Sequence, residues 1–252
     1  MQLFDEVLPN TQEKGGLLEL KVRYMVTKKM PQSQVKPDLW RMLELDPENN
    51  MARTELLSYA IDEEDTLGIV NICKPAVDYK TEDPVFYYYL GVAYFQQKKL
   101  PEAVEAFKSG LEHVEQAGVS NRVKLYTNMY SLLGDIYHQL GQDDKAFESF
   151  EACLGYDPDD AMVLNNYAYY LSEKKKNLER AEAMSRKSNE LEPNNATYMD
   201  TYAWVLYQMK RYEQAAEWMD KTVEQMQKDG EEISDDLVEH IKKINKKKPK
   251  RK

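Results

Sequence analysis

Two segments of this chain carry the same residues at the same spacings. Tyr87, Leu90, Gly91 and Tyr94 are followed by Ala103 and Phe107. Tyr130, Leu133, Gly134 and Tyr137 are followed by Ala146, Phe150 and the closing Pro158. Ala168 lies 34 residues after Gly134, and Ala203 lies 35 after Ala168. A period of this length marks one small supersecondary unit copied along the chain. Each copy is too small to bury its own apolar face, so copies must stack on their neighbours.

The spacing within a copy reads as two helices. Leu and Tyr recur at helical intervals, which puts them on one apolar stripe. A small residue stands at the middle of each first helix: Gly91, Gly134, Ala168 or Ala203. Ala103, Ala146, Ala181 and Ala215 answer it on the second helix. Glycine inside a helix costs about 1 kcal/mol against alanine, so close approach of the two helices is the expected compensation. Composition agrees. Only 10 residues are Gly and 10 Pro, so few tight turns are encoded, and Val/Ile runs with period-2 alternation are missing.

These letters resemble the tetratricopeptide repeat, with aromatic, Leu-Gly and Tyr on a first helix and Ala with Phe on a second. The match in Thr127 to Asp160 is nearly complete. Weaker copies follow, one with Leu164, Tyr167, Leu171, Ala181 and Pro193, the next with Met199, Tyr202, Leu206, Ala215 and Met219. Upstream, Asn50 to Asp83 carries Leu56, Leu57, Ala60, Ile69 and Cys73, and Gly16 to Asn49 is a degenerate copy closed by "LELDPEN". That phrase returns as "LGYDPDD" and "LEPNN", each a helix end with an acid-Pro turn. The resemblance implies an all-α fold, a right-handed superhelical solenoid of antiparallel helix pairs. We place it at 1–245, with degenerate units over 12–83, clear units over 84–228 and a capping helix at about 233–245 carrying the stripe Ile233, Leu237, Ile241 and Ile244. Gly110 to Thr127 is longer than the repeat allows and is expected to extend the helices around it. The letters of 84–228 look most like large bacterial repeat proteins of the Bacteroidetes.

In proteins with this repeat, a second face of the first helices lines a concave groove that holds a peptide or a partner helix. By register, that face carries Tyr88 and Phe95; Asn128, Asp135 and His138; Asn165 and Tyr169; and Asp200, Trp204 and Tyr207. The stretch "LNNYAYYL" is thereby divided: Leu164, Tyr167, Ala168 and Leu171 pack, while Asn165 and Tyr169 look into the groove. The aromatics would be rigid anchors, and the amides and acids would hold backbone and polar groups. The competing reading is that these aromatics only pack against neighbouring first helices. No Lys or Arg falls on the face, which argues against the clamp some of these repeats use on a partner's C-terminal carboxylate. Asp135 and Asp200 suggest a neutral or basic protein or peptide partner.

Charge and chemistry narrow the function further. The last twelve residues, "IKKINKKKPKRK", hold eight of the 34 basic side chains and none of the 44 acids. The remainder has 26 basic against 44 acidic side chains, a body at −18. Such a body repels phosphate, so nucleic acid is not expected to be held except through the tail. The tail, 246–252, with Lys246, Lys247, Lys248, Lys250, Arg251 and Lys252, reads as a basic disordered end. Binding of nucleic acid or another anionic surface there is the alternative function. A third is a noncatalytic arm of an enzyme or envelope assembly. Cys73 and Cys153 fall at apolar helix positions and read as core. His113, His138 and His240 are far apart, and no nucleophile elbow, phosphate loop or Cys/His cluster stands in the sequence. We therefore expect no enzyme, no cofactor and no metal.

The start, "MQLFDEVLPN", reads as the end of a second helix whose first helix is missing, and it has no signal-peptide pattern. Taken as given, the chain is expected to be cytoplasmic. As a fragment of an exported protein it would belong to the periplasm or cell envelope.

Overall fold

The computed structural model describes residues 14–116, 119–230 and 232–247. The opening "MQLFDEVLPN" and Lys248, Lys250, Arg251 and Lys252 of the tail lie outside them. Among the described residues there are thirteen α-helices and no strand. The helices are α1 (Lys14–Thr27), α2 (Gln32–Leu45), α3 (Asn50–Asp62), α4 (Thr66–Asp78), α5 (Pro84–Gln96) and α6 (Leu100–His113). They continue as α7 (Val119–Gln139), α8 (Asp143–Tyr156), α9 (Ala161–Glu173), α10 (Leu178–Leu191), α11 (Ala196–Gln208), α12 (Tyr212–Asp229) and α13 (Asp235–Lys247). They form six successive pairs and a final unpaired helix, so the all-α repeat architecture is present. Within 110–127, the described residues are the end of α6, a 3-10 turn at Val114–Gln116 and the start of α7, which is 21 residues long. Lys246 and Lys247 are the last turn of α13.

The chain divides into two compact units, with the boundary between Leu125 and Tyr126, inside α7. In the first, Val22, Leu39, Leu56, Ile72 and Phe86 build one continuous core. In the second, one core gathers around Phe150, Tyr167 and Leu171, and another around Ala203, Met219, Leu237 and Ile244.

The small residues do what their spacing implied. A methyl group on Gly91 would sit 2.6 Å from the Phe107 ring, and one on Gly134 would run into Phe150. The size rule then shifts from unit to unit. Where the first helix has Ala168 or Ala203, the matching position on the second has Ser185 or Met219 in place of Phe, and all four are buried. In α3 and α4 the sizes are reversed, with Leu57 on the first helix and Cys73 on the second, both buried. Ala203 with Met219 and Leu57 with Cys73 keep roughly the combined volume of glycine with phenylalanine while the letters change, whereas Ala168 with Ser185 is a smaller pair.

Turns and caps repeat as faithfully. Lys98, Gly141, Lys175 and Lys210 each hold a left-handed backbone just after a first helix. There the next residue closes back on the helix, as in Lys99 N to Tyr94 O, Gln142 N to Tyr137 O and Arg211 N to Leu206 O, at 2.8–2.9 Å. The acid-Pro phrases end one helix and start the next. Asn49, Asp160 and Asn195 accept the backbone N–H groups of Ala52, Val163 and Tyr198 at their own helix starts.

Two buried polar contacts have no counterpart in the sequence reading. Arg53 is buried and donates to the Ile72 and Pro47 carbonyls at 2.5 Å, tying α3 to α4. Cys153 Sγ meets the Thr127 carbonyl at 3.3 Å, and burial pushes its thiol up to about 12, so it stays a thiol in the core.

Candidate partner-binding site

Eight of the ten residues assigned to a groove lie in the second unit, on the first helices α7, α9 and α11. Much of that face is used between the helices themselves. Asp135 on α7 accepts from Tyr170 Oη at 3.2 Å and from Asn166 Nδ2 at 3.4 Å, both on α9. Burial pushes the Asp135 carboxyl up, against the pull of those two hydrogen bonds. His138 stacks on Tyr170 with ring centres 3.7 Å apart, and its Nδ1 lies 3.1 Å from Asp143 Oδ1.

The next step along the ladder joins α9 to α11. Trp204 Nε1 donates to Glu173 Oε1 at 2.5 Å. The last step joins α11 to α13. His240 Nδ1 lies 3.0 Å from both Asp200 oxygens, and its ring stacks on Trp204 at 4.0 Å. Lys243 adds its ammonium 5.1 Å above the Trp204 ring. Trp204 is therefore only 3% exposed, and in this arrangement it is a packing residue rather than an open anchor. Asn165, also 3% exposed, is enclosed in the same way. The physical reason is the closeness of successive first helices, and at the end of the array it is α13 that fills the position of a further first helix.

What remains accessible is smaller. Tyr169, Tyr207, Asp135 and Asp200 are half-buried, as is Asn128. Tyr169 lies near both Tyr170 and His240, with ring centres 5.8 and 6.0 Å away. Its hydroxyl is pushed up to about 12, first by burial and then by Glu173, Asp236, Asp200 and Glu239. Tyr207 stacks on Trp204 at 4.9 Å. Asn165, Tyr169 and Asp200 border a cavity of about 260 Å³, closed on its other side by Asp236, Leu237 and His240 of α13. In the first unit, Tyr88 and Phe95 on α5 are half-buried. Tyr88 lies against Tyr89 at 5.0 Å and Phe107 at 6.2 Å, and Lys98 stands 5.8 Å from the Phe95 ring.

Sequence reasoning missed Asn166, Tyr170, Asp236 and His240. The signal for His240 was there. It stands at the sixth residue of α13, as Asn166 does in α9, once α13 is read as a first helix. The 18-residue α12 hid this by stretching the local period.

Among the described residues no group of His, Cys, Asp or Glu could hold a metal ion. No helix among them is long and apolar enough to cross a membrane.

These helix pairs, with a small residue against an aromatic ring and a shared first-helix face, define a helical-repeat interaction scaffold. The chain carries tetratricopeptide repeats: models of the tetratricopeptide repeat match residues 127–160 and 75–118. Solved structures agree on the fold. YrrB, a tetratricopeptide-repeat protein with an unusual peptide-binding site, superposes with a TM-score of 0.63 at 16% identity, over 81% of this chain and 97% of that one. MamA from Desulfovibrio magneticus RS-1 gives 0.59 at 17%, over 70% and 94%. A tetratricopeptide repeat protein from Parabacteroides merdae gives 0.53 at 16%, over 92% and 73%. No curated protein matches the sequence. Proteins of this fold are typically noncatalytic scaffolds for protein or peptide partners.

Proposed function

We propose that this chain is a scaffold whose second unit holds a peptide or helix of a protein partner against the shared face of α9, α11 and α13. The observation that carries this is the cavity of about 260 Å³ bordered by the half-buried Tyr169, the buried Asn165 and Asp200. An accessible aromatic ring in a recess is the kind of anchor that dominates interface centres. The preformed helices would keep the ordering cost of binding low on the scaffold side. The peptide-binding site of YrrB, on the same fold, supports a peptide as the occupant. We infer a neutral or basic partner, since the half-buried Asp135 has no lysine or arginine partner among the described residues and Asp200 is paired there with His240.

The test is capture of a partner from host lysate by wild-type protein and by Tyr169→Ala. Trp204 is unsuitable for replacement because it is buried under α13. Tyr169→Ala keeps its helix content by circular dichroism and weakens capture by about thirtyfold, the effect of losing a central aromatic anchor. Capture that is unchanged in Tyr169→Ala and lost on removing the basic run from Lys246 would instead locate binding in the tail. That alternative also requires affinity to fall steeply with salt.

A further inference from the structure

The second unit sorts its charge between two edges. One edge is made by the ends of the second helices α8 and α10 and the starts of the first helices α9, α11 and α13. Over 156–162, 187–197 and 232–236 it has eight acids and one lysine, and that lysine, Lys187, is paired with Asp159. The opposite edge is made by the turns after α9 and α11 and the end of α13. Over 174–177, 209–211 and 242–247 it has nine cations and no acid. Neighbouring acids take up part of this charge. Asp143 pairs with Lys174 at 2.7 Å, Asp144 with Lys176 at 3.5 Å and Glu239 with Lys243, and Glu182 lies 3.6 Å from Arg211. Lys175, Lys210, Lys246 and Lys247 are exposed and pair with no carboxylate among the described residues. Lys175 and Lys210 sit in their turns with a left-handed backbone.

The acid edge is also apolar. Tyr156, Met162, Leu191 and Ile233 stand on it, each 41–49% exposed. A lysine stem covers such surface while its ammonium reaches a carboxylate. Spacing points to the source of the lysines. Tyr156 and Asp157 recur 35 residues on as Leu191 and Glu192, and Lys175 recurs at the same interval as Lys210. One helix-pair step lays down both rows, so the cations of one edge are spaced as the acids of the other. A second copy of this chain therefore meets the acid row in register. The net charge of −10 on each copy opposes the meeting, but only weakly. The 13-residue α9 and α11 hold the edges about 20 Å apart, more than twice the screening length of about 8 Å at 0.15 M salt.

We propose that the acid edge of one copy docks the basic edge of a second, with Lys175 and Lys210 at the Asp157 and Glu192 turns and their stems over Tyr156 and Leu191. The contact joins two different surfaces, so each pair of copies leaves one edge of each kind free and the contact can repeat along a row. It does not use Tyr169 and does not rest on the proposed partner face.

Sedimentation velocity of the full chain over a range of protein concentrations is the test. The average mass rises with concentration at low salt, about 0.01 M, and the association weakens about tenfold or more at about 1 M, where the screening length falls to roughly 3 Å. Lys175→Glu with Lys210→Glu abolishes association, and so does Glu190→Lys with Glu192→Lys. An equimolar mixture of the two double variants forms a one-to-one dimer, because the intact acid edge of one meets the intact basic edge of the other. That rescue separates a lost contact from a damaged fold. A wild-type chain that stays monomeric at low salt, double variants that associate as wild type does, or a mixture that stays monomeric overturns the proposal. Association as strong at high salt as at low salt overturns it too. A monomeric chain that binds oligolysine, with the binding lost in Glu190→Lys with Glu192→Lys, removes the second copy as occupant and leaves the acid edge to a basic partner.

Discussion

At the scale of single residues, packing and charge make opposite demands that substitutions can separate. Gly134 has no room for a methyl group because the Phe150 ring lies against it. Gly155, near the end of α8, has open space around it. Alanine at Gly155 gains up to about 1 kcal/mol of helix propensity. Alanine at Gly134 loses about 1–3 kcal/mol through overpacking. Denaturant melts of the two variants, shifted in opposite directions, check this; a stabilised Gly134→Ala would show that the close packing is not real. Asp135 gives a second prediction. Its folded value is raised by burial, so its ionised form opposes folding, and that penalty fades as pH falls through the raised value toward the ordinary value of about 4. Asp135→Asn should therefore melt higher than wild type at pH 7, by a margin that closes toward pH 4. A margin that is constant with pH would refute the sign. Asp143 and Glu151 act oppositely in both proteins. Lys174 holds Asp143 low and Arg180 holds Glu151 low, so their stabilisation is lost as pH falls.

At the scale of elements, the recurring turn chemistry is the testable part. Asp160 accepts the Val163 N–H at 2.9 Å and starts α9, the helix that carries Asn165 and Tyr169. Asp160→Ala should cost about 1 kcal/mol in a thermal or denaturant melt, and Asp160→Asn much less. Equal losses would mean the charge, not the cap, matters. The left-handed turns were not legible as such. Lys98, Lys175 and Lys210 occupy a conformation that favours glycine, and only Gly141 announced it. A lysine there costs about 1 kcal/mol, which the helix packing on either side outweighs. Hence the turn is set by the pair of helices it joins.

At the scale of the whole molecule, a body at −18 attracts basic partners from a distance. Association with a lysine-rich peptide should slow as salt shortens the screening length from about 30 Å at 0.01 M to about 8 Å at 0.15 M. Dissociation, governed by short-range contacts, should change far less. Stopped-flow rates at several ionic strengths decide it, and an acidic peptide binding faster than a basic one would remove the charge argument.

The repeat letters were enough to establish helices, their pairing and which side chains would be buried between them. Gly91, Gly134 and the alanines that replace them follow from a 34-residue period that any chain of this kind must satisfy by stacking. Degenerate units kept that logic while exchanging sizes, as Leu57 and Cys73 do, so their membership was legible and their packing was not. The site was legible only as a face. Which members of that face stay accessible depends on how near α9, α11 and α13 come to each other. Spacing within one helix cannot encode that distance. Trp204 and Asn165 are enclosed because a later helix arrives beside them, and His240 meets Asp200 across 40 residues of chain. Local periodicity is a property of the sequence, whereas the closing of one helix over another is decided by tertiary contacts between residues the period does not relate.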